Sequence, residues 1–167
     1  MSIVSVEKDP QQLQLTVIAE FDAPPERVWQ VWEDARQLER WWGPPTWPAT
    51  FTQHDLAVGG TSKYFMTGPD GSKAPGWWIT TAVDAPHHLT FDEGFADAEG
   101  NPVDLDDRTS FAVTLAEDAK GTKMTVVSTF LSAEQMEKMV TMGMIEGFTL
   151  GIAVIIALQQ VPAALGV

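Results

Sequence analysis

The feature that most constrains the fold is a series of six short segments in the middle of the chain, separated by Gly, Pro and Asp. Each segment is rich in residues typical of β-strands and is bounded by turn-forming residues. The segments are 47–54, 61–67, 77–83, 88–95, 110–115 and 123–130. A succession of such strand-like segments with turn residues between them predicts a meander of antiparallel strands.

Different patterns flank this meander. Residues 13–21 mostly alternate between apolar and polar and predict a first strand. Pro24 and Pro25 suit a first helical turn, and apolar residues at three- and four-residue spacings then predict two short helices. Those apolar residues are Val28, Trp29, Val31, Trp32, Leu38, Trp41 and Trp42, ahead of a stop at Gly43.

The C-terminal part predicts the longest element. Ser132 and Gln135 form a capping box that opens a helical stretch to residue 160, with glycine at 143, 147 and 151. A membrane span would need about 20 apolar residues, and the best window contains a glutamate and three glycines. The preferred interpretation is a helix packed on the sheet, with its glycines where the backbone approaches the strands closely.

Composition limits the class of protein. The 167 residues predict one domain over 13–160, with an extension at 1–12 and a tail at 161–167. A net charge of −13 repels phosphate and anionic lipid headgroups, so neither a nucleic acid nor a membrane is expected as a partner. The opening residues do not have the pattern of a signal peptide, and a cytoplasmic location is the default expectation.

An ordered set of aromatic, glycine and proline positions resembles the SRPBCC (START-like) superfamily, and within it the branch of the activator of heat-shock-protein-90 ATPase. The positions are residues 23–29, 41–44, 51–60, Met66, 69–71, Gly76, Pro86, Leu89, Phe91, 121–122, Gly143 and Gly147. The resemblance implies an α+β helix-grip fold. In that fold a curved antiparallel sheet of six to seven strands wraps around a long C-terminal helix, with two short helices after strand 1. It also implies a hydrophobic cavity and a place in stress response.

Large apolar side chains are numerous, with seven Trp, eight Phe and seven Met. Rigid aromatic walls with adaptable methionines suit a pocket for an apolar ligand, and they equally suit a filled core. The ligand-binding candidates are Trp32, Phe51, His54, Tyr64, Met66, Phe91, Phe111, Phe130, Met142 and Phe148.

Few residues offer catalytic chemistry. Of the three histidines, His54 precedes Asp55, but neighbouring strand residues point to opposite faces, which argues against direct contact. No nucleophile elbow, phosphate loop or metal-ligand spacing is present, and no metal, cofactor or catalytic residue is predicted. The seven acids between residues 92 and 107 predict a solvated loop, because their glycine spacing does not match a calcium loop.

The last helix is apolar on the face expected to point outward. The branch usually has Trp and then polar residues there, whereas Phe148 takes the Trp position in this chain. A helix that is apolar all round is normally buried on every side, which predicts a homodimer through Leu150, Ala153, Val154 and Ala157. Coverage of this face by the N-terminal residues or the C-terminal tail is the alternative.

Three functions stay open at this stage. The first is binding of a hydrophobic or amphipathic small molecule between sheet and C-terminal helix, without catalysis. The second is a protein-interaction module like the co-chaperone branch. The third, a polyketide cyclase-like or hydrolase-like enzyme, requires His54, Tyr64 or an acid such as Asp55 to face the cavity with a perturbed pKa.

Overall fold

The computed structural model describes residues 3–159 of the chain. The elements in chain order are β1 (Ile3–Asp9), β2 (Gln14–Phe21), α1 (Pro25–Glu33), α2 (Ala35–Leu38), β3 (Ala49–His54), β4 (Thr61–Thr67), β5 (Lys73–Asp84), β6 (His88–Phe95), β7 (Thr109–Asp118), β8 (Gly121–Thr129), α3 (Ala133–Thr141) and α4 (Met144–Gln159).

The strands form one antiparallel sheet in the order β1-β2-β8-β7-β6-β5-β4-β3. Strands β3 to β8 form the predicted meander, and β2 closes it by pairing with β8, with Gln14 opposite Thr129. The α+β helix-grip class is therefore confirmed. The sheet has eight strands, whereas the sequence predicted six to seven. The additional strand is β1, which lies in the predicted extension 1–12 and pairs with β2.

The inner face of the sheet follows from the alternation in the strands. In β2, Leu15, Val17, Ala19 and Phe21 are buried, and the residues between them are half-buried. Helix α1 covers this face with Val28, Trp29, Val31 and Trp32, all buried. Full burial of one such apolar side chain stabilises the fold by roughly 1.5–3 kcal/mol.

The predicted C-terminal helical stretch is present, with one interruption around Gly143. The chain forms α3 and α4, which are bent by 55° relative to each other. Gly143 lies at the break with φ of 99°, a left-handed conformation that glycine adopts without strain. The apolar pattern continues across the break because each helix packs on its own cluster. Met136 of α3 contacts Leu15 and Phe130, whereas Ile152, Ile155 and Leu158 of α4 belong to the main core.

The sequence predicted that the helix backbone approaches the strands closely at its glycines, but the glycines of α4 do not have this role. A Cβ added at Gly147 would meet nothing within 4 Å, whereas one at Gly151 would lie 2.8 Å from the carbonyl oxygen of Trp41. Helix α4 packs on α1, α3 and the β1–β2 side of the sheet. Within residues 3–159, no single helix is long and apolar enough to cross a membrane; the bent pair of α3 and α4 reaches that length and composition only when taken together.

Candidate functional site

Aromatic side chains form a continuous stack across the inner face of β5, β6 and β7. The rings of Trp78 and Phe91 lie 4.0 Å apart at 14°, and those of Phe91 and Phe111 lie 5.0 Å apart at 8°. At the β4 side, Tyr64 stacks on Phe51 at 4.9 Å. Alternation in each strand directs these residues to the same face, so antiparallel pairing places them side by side. We refer to these five residues as the aromatic floor.

Trp42 lies over this floor. It comes from the segment between α2 and β3, and its ring centroid lies 4.8 Å from that of Trp78 and between 6.1 and 6.5 Å from those of four other rings. Those four are Tyr64, Phe91, Phe111 and, on α4, Phe148. The side chain is half-buried. The indole of Trp42 therefore lies between the sheet and α4.

The two neighbouring tryptophans differ in how they are held. Trp41 is 2% exposed, and its indole N–H donates to the carbonyl oxygen of Val31 at 2.8 Å. The buried indole N–H of Trp42 has no hydrogen-bond partner among the described residues. It lies close to the Tyr64 hydroxyl, and this proximity opposes the rise in the pKa of that group. Ring contacts are therefore the main interactions of the Trp42 side chain.

Tyr64 and Glu93 form a polar pair at the edge of the floor. The Tyr64 hydroxyl donates to Glu93 Oε2 at 2.7 Å, across strand β5, which separates their two strands. Gly76 makes this possible, because a Cβ there would overlap the Tyr64 ring. A side chain at position 76 would push the tyrosine away from Glu93.

Burial perturbs both groups of this pair. It raises the pKa of Glu93 to about 7, and the hydrogen bond from Tyr64 opposes only part of that rise. Burial, followed by the nearby Glu93 charge, raises the pKa of Tyr64 well above its usual value. Near neutral pH the glutamate therefore exchanges a proton, while the tyrosine stays protonated.

A cavity of about 40 Å³ lies beside the pair. Its lining residues are Tyr64, Glu93, Gly94, Phe95, Asp107, Thr109, Gln135 and Met139. Gln135 closes one side, because its Nε2 donates to Asp107 Oδ1 at 2.8 Å and to the Arg108 carbonyl at 3.1 Å. A water molecule needs about 10–15 Å³, so this volume suits a few waters or one small polar group.

His54 lies on the inner face as well, but both of its ring nitrogens are occupied. Nε2 lies 2.8 Å from the Trp32 carbonyl oxygen, which can only accept, so this nitrogen carries the proton. Nδ1 then accepts from Ser62 Oγ at 2.8 Å. Burial lowers the pKa of His54, consistent with a neutral ring that joins α1 to the sheet. Asp55 does not contact it and accepts from the Ala57 backbone instead.

The structure brings some of the predicted ligand residues together and separates others. Trp32, Phe51, Tyr64, Phe91 and Phe111 belong to the main core, with Met66 and Phe148 packed against it. Phe130 lies in the smaller cluster below α3. Met142 is 61% exposed, because the break after α3 directs it outward. Whether any of these residues contacts a ligand stays a prediction.

The sequence analysis did not identify Trp42, Glu93 or Gly76 as residues of the candidate site. Glu93 was counted with the acidic loop, although it lies two residues after Phe91 and alternation alone puts it on the inner face. Trp42 was assigned to the second short helix, but α2 ends at Leu38 and Trp42 lies in the irregular segment that follows. The path of that segment, which sets the position of the indole, has no comparable signal in the sequence.

The residues predicted to form a dimer lie on α4. Leu150 is 47% exposed, Ala153 and Ala157 are exposed, and Val154 is half-buried. The dimer stays a prediction, which light scattering can test.

Among residues 3–159 no group of three or more His, Cys, Asp or Glu is placed to hold a metal ion. Two turns of the acidic loop are closed by Asp97 and Asp104, which accept from backbone N–H groups.

Comparison with known proteins gives family and fold. Residues 22–155 match the family model described as activator of Hsp90 ATPase homolog 1-like protein. A solution structure of a protein from Arthrobacter aurescens is 55% identical, covers 97% of this chain and 94% of its own, and has a TM-score of 0.89. A crystal structure of a protein from Mycobacterium smegmatis is 47% identical over 93% of this chain and 96% of its own, with a TM-score of 0.85.

A more distant protein shows the fold alone. A crystal structure of a protein from Rhodobacter sphaeroides is 18% identical, covers 93% of this chain and 97% of its own, and has a TM-score of 0.81. No curated protein matches the chain.

Proposed function

The chain belongs to the family described as activator of Hsp90 ATPase homolog 1-like protein, and we propose that it binds an apolar or amphipathic small molecule on the aromatic floor, in place of the Trp42 side chain. Family membership supports the coarser statement, because proteins with this SRPBCC-type fold commonly bind ligands or other proteins. The finer statement rests on Trp42.

The position of Trp42 is the observation that carries the proposal. A half-buried indole packs against six aromatic rings, and its N–H has no hydrogen-bond partner among the described residues. It comes from a segment without helix or strand. Such a segment moves more readily than the elements it connects. A ligand with an aromatic or aliphatic body would replace the contacts that the indole gives up on leaving.

The size of the cavity explains why Trp42 must move. A pocket for a drug-sized molecule measures about 300–1,000 Å³, whereas the cavity beside Tyr64 measures about 40 Å³. The observed affinity is the intrinsic affinity multiplied by the fraction of molecules in which the indole has left the floor, so a small fraction gives weak binding. Removal of the indole should therefore increase the affinity for an apolar probe.

The test is calorimetric titration of phenylbutanol into the wild-type protein, Trp42→Ala and Trp47→Ala. Trp47 is the matched control, because it belongs to the same segment but packs on Gly68, away from the aromatic floor. We expect Trp42→Ala to bind at least about tenfold more tightly than Trp47→Ala. Equal affinities of the two variants would contradict the proposal.

A second variant keeps the proposal testable if Trp42→Ala does not fold. Trp42→Phe keeps an aromatic ring and removes only part of the volume, so it should lie between wild type and Trp42→Ala in affinity. Near-ultraviolet circular dichroism reports whether the aromatic packing of each variant persists.

A second candidate function, contact with a chaperone ATPase, is favoured by the exposed apolar face of α4 and by the family description. On this alternative, the chain changes the ATPase rate of an Hsp90 protein. Leu150→Lys would remove that effect without changing the affinity for phenylbutanol.

Acid–base catalysis is favoured by one observation, the Glu93 carboxyl group beside a cavity with a pKa of about 7. A general base works best when its pKa lies near the working pH. Native mass spectrometry of protein purified from its own cells would identify a bound molecule. That molecule would then be incubated with the protein. A change in its mass with the wild-type protein, but not with Glu93→Gln, would establish turnover.

A further inference from the structure

We infer that the bound molecule carries an organic ammonium group and that Glu93 and Tyr64, with the cavity beside them, form the subsite for that group. The inference rests on the proposed function, because the apolar body of the same molecule would lie on the aromatic floor. Tyr64 connects the two parts, since its ring belongs to the floor and its hydroxyl binds Glu93.

Charge is the first argument. The residues that line the cavity include two carboxylic acids, Glu93 and Asp107, and none of them is Lys, Arg or His. Lys138 is the nearby cation, with its Nζ 5.5 Å from the centroid of the Phe95 ring at the rim. Arg108 is engaged elsewhere, by Asp92 at 3.4 Å and the Leu105 carbonyl at 2.7 Å. The cavity therefore favours a cation and repels a carboxylate or phosphate.

Hydrogen-bonding capacity is the second argument. The Tyr64 hydroxyl proton is donated to Glu93 Oε2, and Gln135 uses its amide protons on Asp107 and Arg108. Glu93 Oε1 accepts no hydrogen bond from any residue within 3–159. The site thus offers mainly acceptors, and an ammonium group brings three donors.

Shape and ring faces are the third argument. The volume of about 40 Å³ is enough for an ammonium group but not for the molecule that carries it. Two aromatic rings, Tyr64 and Phe95, border the space, and aromatic rings attract cations. The lysine over Phe95 shows that the rim ring already has such a contact. A charge-assisted pair with Glu93 would add the strongest single interaction.

The test compares three probes with the same apolar part: phenylbutylamine, phenylbutanol and phenylbutanoate. Titration at about pH 8 keeps the amine protonated and ionises Glu93. Wild-type protein and Trp42→Ala are both titrated. Because Trp42→Ala is expected to bind the probes more tightly, it allows the three affinities to be compared even where the wild-type protein binds weakly. We expect the amine to bind at least about tenfold more tightly than the alcohol, and the carboxylate more weakly than either.

Variants assign the preference to one carboxylate. Glu93→Gln should reduce the amine-to-alcohol ratio to about one while the alcohol affinity changes less than about twofold. Glu117→Gln is the control, because Glu117 is exposed and far from the lining residues, and it removes the same charge. A preference that survives Glu93→Gln, or that Glu117→Gln also removes, would overturn the inference.

A measurement on the unmodified protein covers the case in which Glu93→Gln fails to fold. The carboxyl carbon of Glu93 is followed by NMR with and without phenylbutylamine, and the amine should lower the pKa of this group by at least about one unit. Equal binding of amine and alcohol would contradict this inference alone. Failure of all three probes to bind Trp42→Ala would contradict the proposed function and the inference together.

Discussion

Two polar clusters lie side by side on the inner face of β4, and they use buried polar groups in opposite ways. At the His54 end, Ser62 and the Trp32 carbonyl satisfy both ring nitrogens, and burial lowers the pKa of the histidine. At the Glu93 end, two residues further along β4, Tyr64 gives one hydrogen bond to a carboxylate whose pKa is raised to about 7.

The difference separates structural polar groups from groups available to a ligand. The histidine has no hydrogen-bonding capacity left, so its role is to join α1 to β3 and β4. The glutamate keeps a free oxygen beside a cavity. The adjacent tryptophans repeat this contrast, since Trp41 packs edge-on to Trp32 at the His54 end and Trp42 covers Tyr64 at the Glu93 end.

The largest expected difference is in the cost of removing each tryptophan. Trp41→Ala should lower the free energy of unfolding by about 3–5 kcal/mol, because it empties a fully packed site and leaves the Val31 carbonyl unpaired. Trp42→Ala should cost at least about 1 kcal/mol less, because its ring is half-buried and unbonded. Urea denaturation measures both, and equal losses would remove the contrast.

The histidine cluster should show strong coupling. His54→Leu leaves the Trp32 carbonyl and the Ser62 hydroxyl without partners and should lower the free energy of unfolding by about 2–4 kcal/mol. Addition of Ser62→Ala should cost less in this background than in wild type, because the hydrogen bond is already lost. Additive losses in this double-mutant cycle would show that the pair is not coupled.

The contributions of Glu93 and His54 to the free energy of unfolding should change with pH in opposite directions. The folded-state pKa of Glu93 is raised above its unfolded value, so its contribution to stability is present at low pH and is lost as pH rises from about 4.5 to about 7. The pKa of His54 is lowered, so protonation of the unfolded state removes stability as pH falls below about 6.5.

Glu93→Gln isolates the acidic component of this response. The glutamine variant should gain on the order of 2 kcal/mol relative to wild type between about pH 5 and pH 8, after allowance for the partial exposure of the residue. Denaturation at the two pH values measures the gain. A pH-independent difference between the proteins would show that the carboxyl group is not buried enough to matter.

The smallest expected effect is that of Tyr64→Phe on its partner. Its hydroxyl lowers the pKa of Glu93, so the phenylalanine variant should have a Glu93 pKa above the wild-type value of about 7. Carboxyl-carbon NMR resolves the change. An unchanged pKa would mean that burial alone sets the titration of Glu93.

Strands were the most predictable part of the fold. Segments 61–67 and 88–95 match β4 and β6 to the residue, because turn residues mark both of their ends. The break between α3 and α4 was not predicted, since a glycine inside an apolar helical pattern can pack, bend or end the helix. Its left-handed conformation at Gly143 became known only from the structure.

For the candidate site, the sequence by itself determined which side chains share the inner face, because strand alternation is a local property. Tyr64, Phe91 and Phe111 were named as candidates because they are large aromatic residues, and strand alternation places them on that face. The tertiary structure decided what meets them. The bond between Tyr64 and Glu93 joins residues 29 positions apart, and the indole of Trp42 reaches the floor along an irregular segment. Local periodicity says which way a side chain points, but only the assembled sheet fixes its distant neighbours.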